Sequence, residues 1–474
     1  MCGIIGVSNH KDAAQIAFLG LYALQHRGEE AAGISTYDGR NVHIVKNSGL
    51  VADAFDERSM LELKGQSAIG HCRYSTTGSS NVKNAQPFLA THKNKGIAVA
   101  HNGNLTNTET LYKKLEEEGA IFQTTIDSEV IVHLLARSRN GDMKKWFLDV
   151  LTQLQGAFSL VFLVEDTIVG ARDPQGFRPL CLGQIDDSYI LASETCALDL
   201  IHAKFIREIE PGEIVFIKGK TVESVFLPPE GSLQAAGGLT ADSKSAKRAH
   251  CIFEYVYFAR PDSDIFGGNV YNVRKRLGAQ LAKEHPADAD FVMAIPDSGN
   301  YAAIGYANEL GLPLEVGIIR NHYIGRTFIQ PTQFLRDFRV RVKLNPIRSV
   351  LAGKRIIVVE DSIVRGTTSR SRVQELRNVG AREIHLRISC PPIKSPCFYG
   401  IDFPSKKELV ASNKTVQETA DFLKVDSLEY LSLEGMLSVV KNPKDFCHAC
   451  FSGQYPVAIP KNKSKYLLEG STKK

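Results

Sequence analysis

Residues Arg355 to Ser369, RIIVVEDSIVRGTTS, constrain the fold of this chain more than any other stretch. An apolar run, Ile356 to Val359, ends in two carboxylates, Glu360 and Asp361. A short loop carrying Ser362, Arg365 and Gly366 follows, and Thr367, Thr368 and Ser369 then open a helical pattern that ends near Gly380. Phe291 to Ile295 begins the same plan, with a helical pattern ending near Gly311. Strand, turn and helix in series mark a parallel α/β sheet. Such sheets bind ligands beyond the carboxyl ends of their strands, where the acid pair falls. Backbone N–H groups at a helix start, together with hydroxyls, suit a phosphate. Neither G-x-x-x-x-G-K-[ST] nor G-x-G-x-x-G fits the loop, which counts against nucleotide hydrolysis and dinucleotide binding.

This plan occupies only the second half. The chain has 474 residues, too many for one average domain, and 43% of them are hydrophobic. Residues 1 to about 228 alternate in short stretches (Ala68 to His71, Ile97 to Ala100, Phe158 to Val164), interrupted by helical patterns at Ala13 to His26 and Glu109 to Gly119. That mixture predicts an α+β unit of layered antiparallel sheets with helices. Composition changes at Pro228–Gly231, and Gly231 to Arg248 reads as a linker. The expected units are therefore 2–230 and 250–460, followed by a polar, lysine-rich tail at 461–474. A net charge of +5, from 57 basic and 52 acidic residues, calls for neither a nucleic acid nor a membrane partner. No targeting segment or membrane-length apolar run is visible, so a cytoplasmic location is expected. Nine cysteines, an odd number in a large chain, argue against a disulfide framework.

Cys2 follows the initiator Met. If that Met is removed, a thiol and an α-amine share one residue, with pKa values of about 8.5 and about 8, so the amine is available as a base near neutrality. By position alone Cys2 reads as an ordinary cysteine of a first strand, and Arg73 and Asp127 taken singly are surface ion-pair residues. Their surroundings change the reading. Cys2-Gly3-Ile4-Ile5-Gly6, Leu24-Gln25-His26-Arg27-Gly28-Glu29, His71-Cys72-Arg73-Tyr74-Ser75-Thr76-Thr77-Gly78 and His101-Asn102-Gly103-Asn104, the latter two following strands, together resemble the glutaminase domain of class II amidotransferases. The resemblance implies Cys2 as nucleophile and Asn102 with the Gly103 N–H as the oxyanion hole. It also implies Arg27, Arg73 and Asp127 as contacts to glutamine, with Arg73 on the carboxylate and Asp127 on the α-ammonium.

The segment Glu360 to Ser369 is similar to the loop of type I phosphoribosyltransferases that binds phosphoribosyl pyrophosphate (PRPP). Glu360 stands where close relatives carry aspartate. The resemblance implies a PRPP site of Glu360, Asp361, Ser362, Arg365, Gly366, Thr367 and Thr368, with Asp297, Ser298 and Gly299 as the pyrophosphate loop. Mg²⁺ would lie at Ser298, Glu360 and Asp361, and Arg326 would belong to a lid spanning Arg320 to Pro331. A glutaminase half before a PRPP half resembles the amidophosphoribosyltransferases along nearly the whole chain. This implies ammonia delivery from glutamine to PRPP, in a homotetramer under purine-nucleotide feedback. A PRPP-sensing regulator would be expected to carry a DNA-binding addition, and none is visible.

Cys447-His448-Ala449-Cys450 is a C-x-x-C pair, which by itself fits redox chemistry, zinc or no chemistry at all. With Cys251 and Cys397, four thiolates could hold tetrahedral zinc or an iron–sulfur cluster. One branch of the resembled family carries a [4Fe-4S] cluster in contexts like these four, and Cys397 is preferred to Cys390 on its flanks. Cys72, Cys181, Cys196 and Cys390 are expected to be buried apolar residues.

Overall fold

The computed structural model describes residues 1–74, 81–92, 95–138, 141–228, 247–321, 344–403 and 405–459. In the first half two antiparallel sheets stack face to face. The seven-stranded sheet runs, edge to edge, Lys204–Glu208, Cys181–Ile185, Ser188–Ala192, Gly3–Val7, Ser67–Arg73, Ala31–Tyr37 and Val42–Ser48. The six-stranded sheet runs Thr221–Phe226, Glu213–Lys218, Thr167–Arg172, Gly156–Val164, Lys95–Leu105 and Phe88–His92. Ile4, Ile69, Ala98, Ala100, Val161 and Leu191 fill the space between them. Helix Ala13–Ala23 covers the outer face of the first sheet, and helices Asp127–Arg137 and Met143–Leu151 cover that of the second. Gly20 permits the first of these contacts, since a Cβ there would lie 2.1 Å from the Ile5 side chain.

Two polar motifs differ from expectation. His71–Arg73 and His101–Asn104 lie inside strands rather than after them. The ladder simply continues through the polar run, with Asn102 opposite Ser159 and Gly103 opposite Phe158. Both faces of these strands are covered, so backbone pairing outweighs the loss of apolar side chains.

The second half holds a four-stranded parallel sheet in the order Phe291–Ala294, Arg355–Glu360, Glu383–Ile388, Ser427–Tyr430. Helix Asn300–Leu310 follows the first strand and stops at Gly311, in the left-handed conformation that a helix end often requires. Helix Thr367–Asn378 follows the second strand. Helix Val270–Glu284 packs on Asn300–Leu310 at two glycines. A Cβ on Gly278 would stand 1.8 Å from the Ala302 carbonyl oxygen, and one on Gly305 1.8 Å from that of Lys275.

The halves are sewn together. Strand His250–Cys251 pairs in parallel with Phe446–Cys447 and also receives the first half, with Cys251 N–H donating to the Phe177 carbonyl at 3.1 Å. Phe177 stacks on Tyr399 with centroids 4.4 Å apart, and Asn104 Nδ2 donates to the Phe398 carbonyl at 2.9 Å. All but the last two residues of the expected linker, Arg326 with most of the expected lid, and the tail lie outside the described residues.

Candidate active site

Cys2 precedes the first strand, and its N–H donates to Asn102 Oδ1 at 3.2 Å. Its thiol donates to the Tyr74 carbonyl at 3.4 Å and accepts from the Tyr74 N–H at 3.5 Å. Cys2, Arg73, Tyr74, Gln86, His101, Gly103, Ile126 and Asp127 line one small pocket. The buried Nδ2 of Asn102 has no hydrogen-bond partner, leaving a donor on the side chain whose oxygen accepts from the Cys2 N–H. Gly103 takes φ +154°, and a Cβ there would stand 2.1 Å from the Ala157 carbonyl oxygen, so only glycine fits. Asp127 opens helix Asp127–Arg137; it accepts from Leu105 N–H at 3.0 Å and lies 3.3 Å from His101 Nδ1.

Arg27 lies elsewhere than expected. Its side chain is fully buried and does not line this pocket. Nε donates to the Cys2 carbonyl at 2.9 Å, Nη1 to Glu194 and to Glu254 Oε2 (3.1 Å), and Nη2 to Glu254 Oε1 at 2.9 Å. Four of the five guanidinium N–H groups are thus engaged within the protein. Arg178 shares Glu254, so two arginines face two glutamates with all four side chains fully buried. Burial works against the charge on Arg27, but Glu254 and Glu194 outweigh it and hold its pKa above the ordinary value. His26 and Arg27 likewise hold Glu194 well below the usual carboxylate range despite its burial. Removing one partner of such a network costs about 3–5 kcal/mol.

A cleft of about 720 Å³ opens at the carboxyl ends of the parallel strands. Asp297, Ser298, Glu360, Asp361, Ser362, Arg365, Gly366, Thr367 and Thr368 line it from the second half. His26, Arg27, Gly28, Glu29 and Tyr74 line it from the first. Asp361 accepts from Ser362 Oγ at 2.5 Å and from Ser298 Oγ. Glu360 is engaged differently, accepting from Arg372 at 2.5 Å and Ser369 Oγ at 3.0 Å. Burial pushes the Glu360 carboxyl up to about 7 and raises that of Asp361. Asp297 pairs with Arg320. Gly366, at φ +77°, turns the chain into helix Thr367–Asn378. Arg365 reaches across to Glu408 at 2.9 Å.

Gly299, unlike Asp297 and Ser298, does not line the cleft. It stands behind the loop, with its N–H given to the Ile295 carbonyl at 3.1 Å and its α-carbon against Val359. Sequence reasoning missed Arg372, although Ser369 and Arg372 fall on one face of the helix that the loop opens. Glu194 and Glu254 carried no visible signal, because nothing in a sequence marks a glutamate that folding will bury.

The four preferred cysteines lie on segments that adjoin one another. Cys251 lies directly across from Cys447 in the parallel pair, and Cys450 follows on the short helix Ala449–Ser452. Burial lifts the Cys450 thiol well above its ordinary range, with Cys397, Cys251 and Cys447 adding in that order and Cys390 least. Cys390 instead feels Asp361 and Glu360 and donates to the Pro391 carbonyl at 3.3 Å. Cys72, Cys181, Cys196 and Cys390 are all buried. Among the described residues, no three His, Cys, Asp or Glu side chains are grouped to hold one metal ion. A multi-iron cluster spreads its thiolates wider than a single ion does.

A cysteine at the start of the chain, hydrogen-bonded to an asparagine and separated by Tyr74 from a cleft with a parallel-sheet acid loop, defines a glutamine amidotransferase joined to a phosphoribosyltransferase. The family model described as a glutamine amidotransferase domain matches residues 71–200, and that described as a phosphoribosyl transferase domain matches 268–419. The amidophosphoribosyltransferase of Methanocaldococcus jannaschii is 49% identical, over 97% of this chain and 98% of that one. The Synechocystis enzyme is 48% identical, over 99% and 94%. The solved glutamine PRPP amidotransferase from B. subtilis, complexed with ADP and GMP, superposes with a TM-score of 0.89 at 43% identity, covering 98% of this chain and 99% of that one. The chain belongs to the amidophosphoribosyltransferase family. It is a transferase of the glycosyltransferase class, and its reaction is glutamine-dependent amidotransfer to PRPP in purine biosynthesis.

Proposed function

We propose that Cys2, freed of Met1, attacks the side-chain amide of glutamine with its own α-amine as base. Asn102 Nδ2 and the Gly103 N–H receive the developing oxyanion, while Arg73 and Asp127 hold the two ends of the amino acid. Ammonia leaves, water hydrolyses the glutamyl thioester on Cys2 to glutamate, and the ammonia attacks carbon 1 of PRPP in the 720 Å³ cleft, displacing pyrophosphate and giving phosphoribosylamine. The observation that carries this reading is the shared cleft wall, with Tyr74, whose main chain brackets the Cys2 thiol, facing the loop at Glu360–Thr368.

The donor sets fit two bound groups. Asp361 is hydrogen-bonded by hydroxyls rather than cations, as a hard-ion ligand would be, so Asp361 and Ser298 would hold Mg²⁺, with Glu360 beside them. Bound Mg²⁺ would offset the charge on pyrophosphate. Cys251, Cys397, Cys447 and Cys450 offer four sulfur donors from adjoining segments, which suits a [4Fe-4S] cluster, and neither half-reaction moves an electron, so its role would be structural. We further assign residues 2–230 and 250–460 to the two units. The working form is a cytoplasmic homotetramer inhibited by purine nucleotides. No helix among the described residues is long and apolar enough to cross a membrane. The deciding experiment is pyrophosphate release by Met-processed protein. It should require PRPP together with either glutamine or an ammonium salt; release from PRPP alone, or glutamine hydrolysis that never yields pyrophosphate, would overturn the reading.

A further inference from the structure

Glu254 takes no part in the chemistry above, yet it sits where the two halves meet. Its carboxylate is fully buried and grips Arg27 through both oxygens, Oε1 to Nη2 at 2.9 Å and Oε2 to Nη1 at 3.1 Å. A two-pronged pair of this kind fixes the plane of a guanidinium as well as its place. The third nitrogen of Arg27, Nε, donates to the carbonyl oxygen of Cys2 at 2.9 Å. The orientation of the main chain at the nucleophile is thus set from the far side of Arg27. Arg178 anchors Glu254 in turn, donating to it at 3.3 Å and, through Nε, to the Tyr399 carbonyl at 3.0 Å.

Glu254 also opens a π-helical turn, Glu254–Phe258, whose Tyr257 and Phe258 line the acceptor cleft with Ala259 and Arg260 just beyond. Arg260 N–H and Ser263 Oγ donate to Glu194 at 2.8 and 2.7 Å, and Glu194 is the other carboxylate on Arg27. The segment that walls the cleft therefore holds Arg27 from two sides.

We infer that Glu254 is a positioning residue of the glutamine half-reaction, aligning Cys2 through Arg27 from the wall of the acceptor cleft. The inference rests on Cys2 being the nucleophile. Attack needs the sulfur placed against both the amide carbon and the Asn102 donor, and displacements of an ångström are costly there. Ammonia supplied from outside bypasses Cys2 altogether, so the two branches of the reaction separate a positioning role from a merely structural one.

The test uses Glu254→Gln and, because loss of a buried charge can prevent folding, Glu254→Asp, which keeps the charge but draws it back by one methylene. In either folded variant the glutamine-driven kcat should fall on the order of 10- to 100-fold. KM for glutamine should change by no more than about threefold, and ammonia-driven synthesis by no more than about twofold. Labelling of Cys2 by a glutamine-like diazoketone, followed by mass spectrometry, should slow in step with kcat. Wild-type glutamine turnover and labelling in the variants would overturn the inference, and so would a parallel fall of both branches. If the wild type made no product from either nitrogen source, the functional reading would fail, and the labelling rates would still decide the role of Glu254.

Discussion

At the scale of single residues, the site separates groups that serve one substrate from groups that serve both. Cys2→Ser should lower glutamine-driven synthesis by at least ~10³-fold while leaving synthesis from ammonium salts near wild type, as measured by pyrophosphate release. Asn102→Ala removes the unpartnered buried donor and should cost about 10²–10³ in the glutamine-driven kcat alone. Asp361→Asn should abolish both branches, because its carboxylate sits in the acceptor cleft. Ammonia-driven turnover that survived in that variant would remove Asp361 from the shared step. His71 gives a pH test. Burial drives its pKa down to about 3, and its Nε2 donates to the His101 carbonyl at 3.2 Å. The unfolded chain would protonate it at about 6.5. A folded pKa below the unfolded one means that the unfolded state binds more protons across that window. Stability is therefore lost as pH falls from about 6.5 toward 3, by about 1.4 kcal/mol per unit. Urea midpoints at pH 7.5 and 5.5 should drop further for the wild type than for His71→Gln.

At the scale of elements, what could be read in the sequence was whatever repeats with the period of its own element. The parallel strands Phe291–Ala294 and Arg355–Glu360 are unbroken apolar runs, and their helices end at Gly311 and just before Gly380. Strand Lys95–Leu105 was legible only to Ala100, because its last third is polar on both faces and its pairing comes from Gly156–Val164 far along the chain. Among site residues, Cys2, Asn102 and Asp361 stand in motifs whose order along the chain is informative. Arg27 belonged to such a motif too, but the direction of its side chain depends on Glu194 and Glu254, 167 and 227 residues away. The crossing of Val270–Glu284 on Asn300–Leu310 yields a prediction of its own. Gly278→Ala would push a methyl group into the Ala302 carbonyl and should destabilise the protein by about 1–3 kcal/mol, seen as a lower Tm.

At the scale of the whole molecule, the four cysteines assigned to the cluster reach from the start of the second half to its end, so a cluster there would clamp segments almost 200 residues apart. Anaerobically purified protein should then be brown, with about four irons per chain. Iron removal by a chelator should lower Tm and expose the thiols together, since metal binding of this kind is coupled to folding. Cys397→Ser should bleach the protein, whereas Cys390→Ser, altered beneath the acid pair, should keep its colour. Stoichiometric zinc with no iron would refute the cluster.

The acceptor cleft borrows part of its wall, His26 to Glu29 and Tyr74, from the other half of the chain. The two halves are therefore fitted to each other at this cleft. A lineage that recombined this glutaminase with a different acceptor domain would inherit a lining shaped for a ligand it no longer meets. One that released the second half as a separate gene would leave its sugar phosphate open to water on one side. Sequence drift at the turn after the first helix should accordingly follow changes in the acceptor domain more closely than changes in the strands around it. Chimaeras exchanged between relatives should work only when that turn travels with the domain it faces.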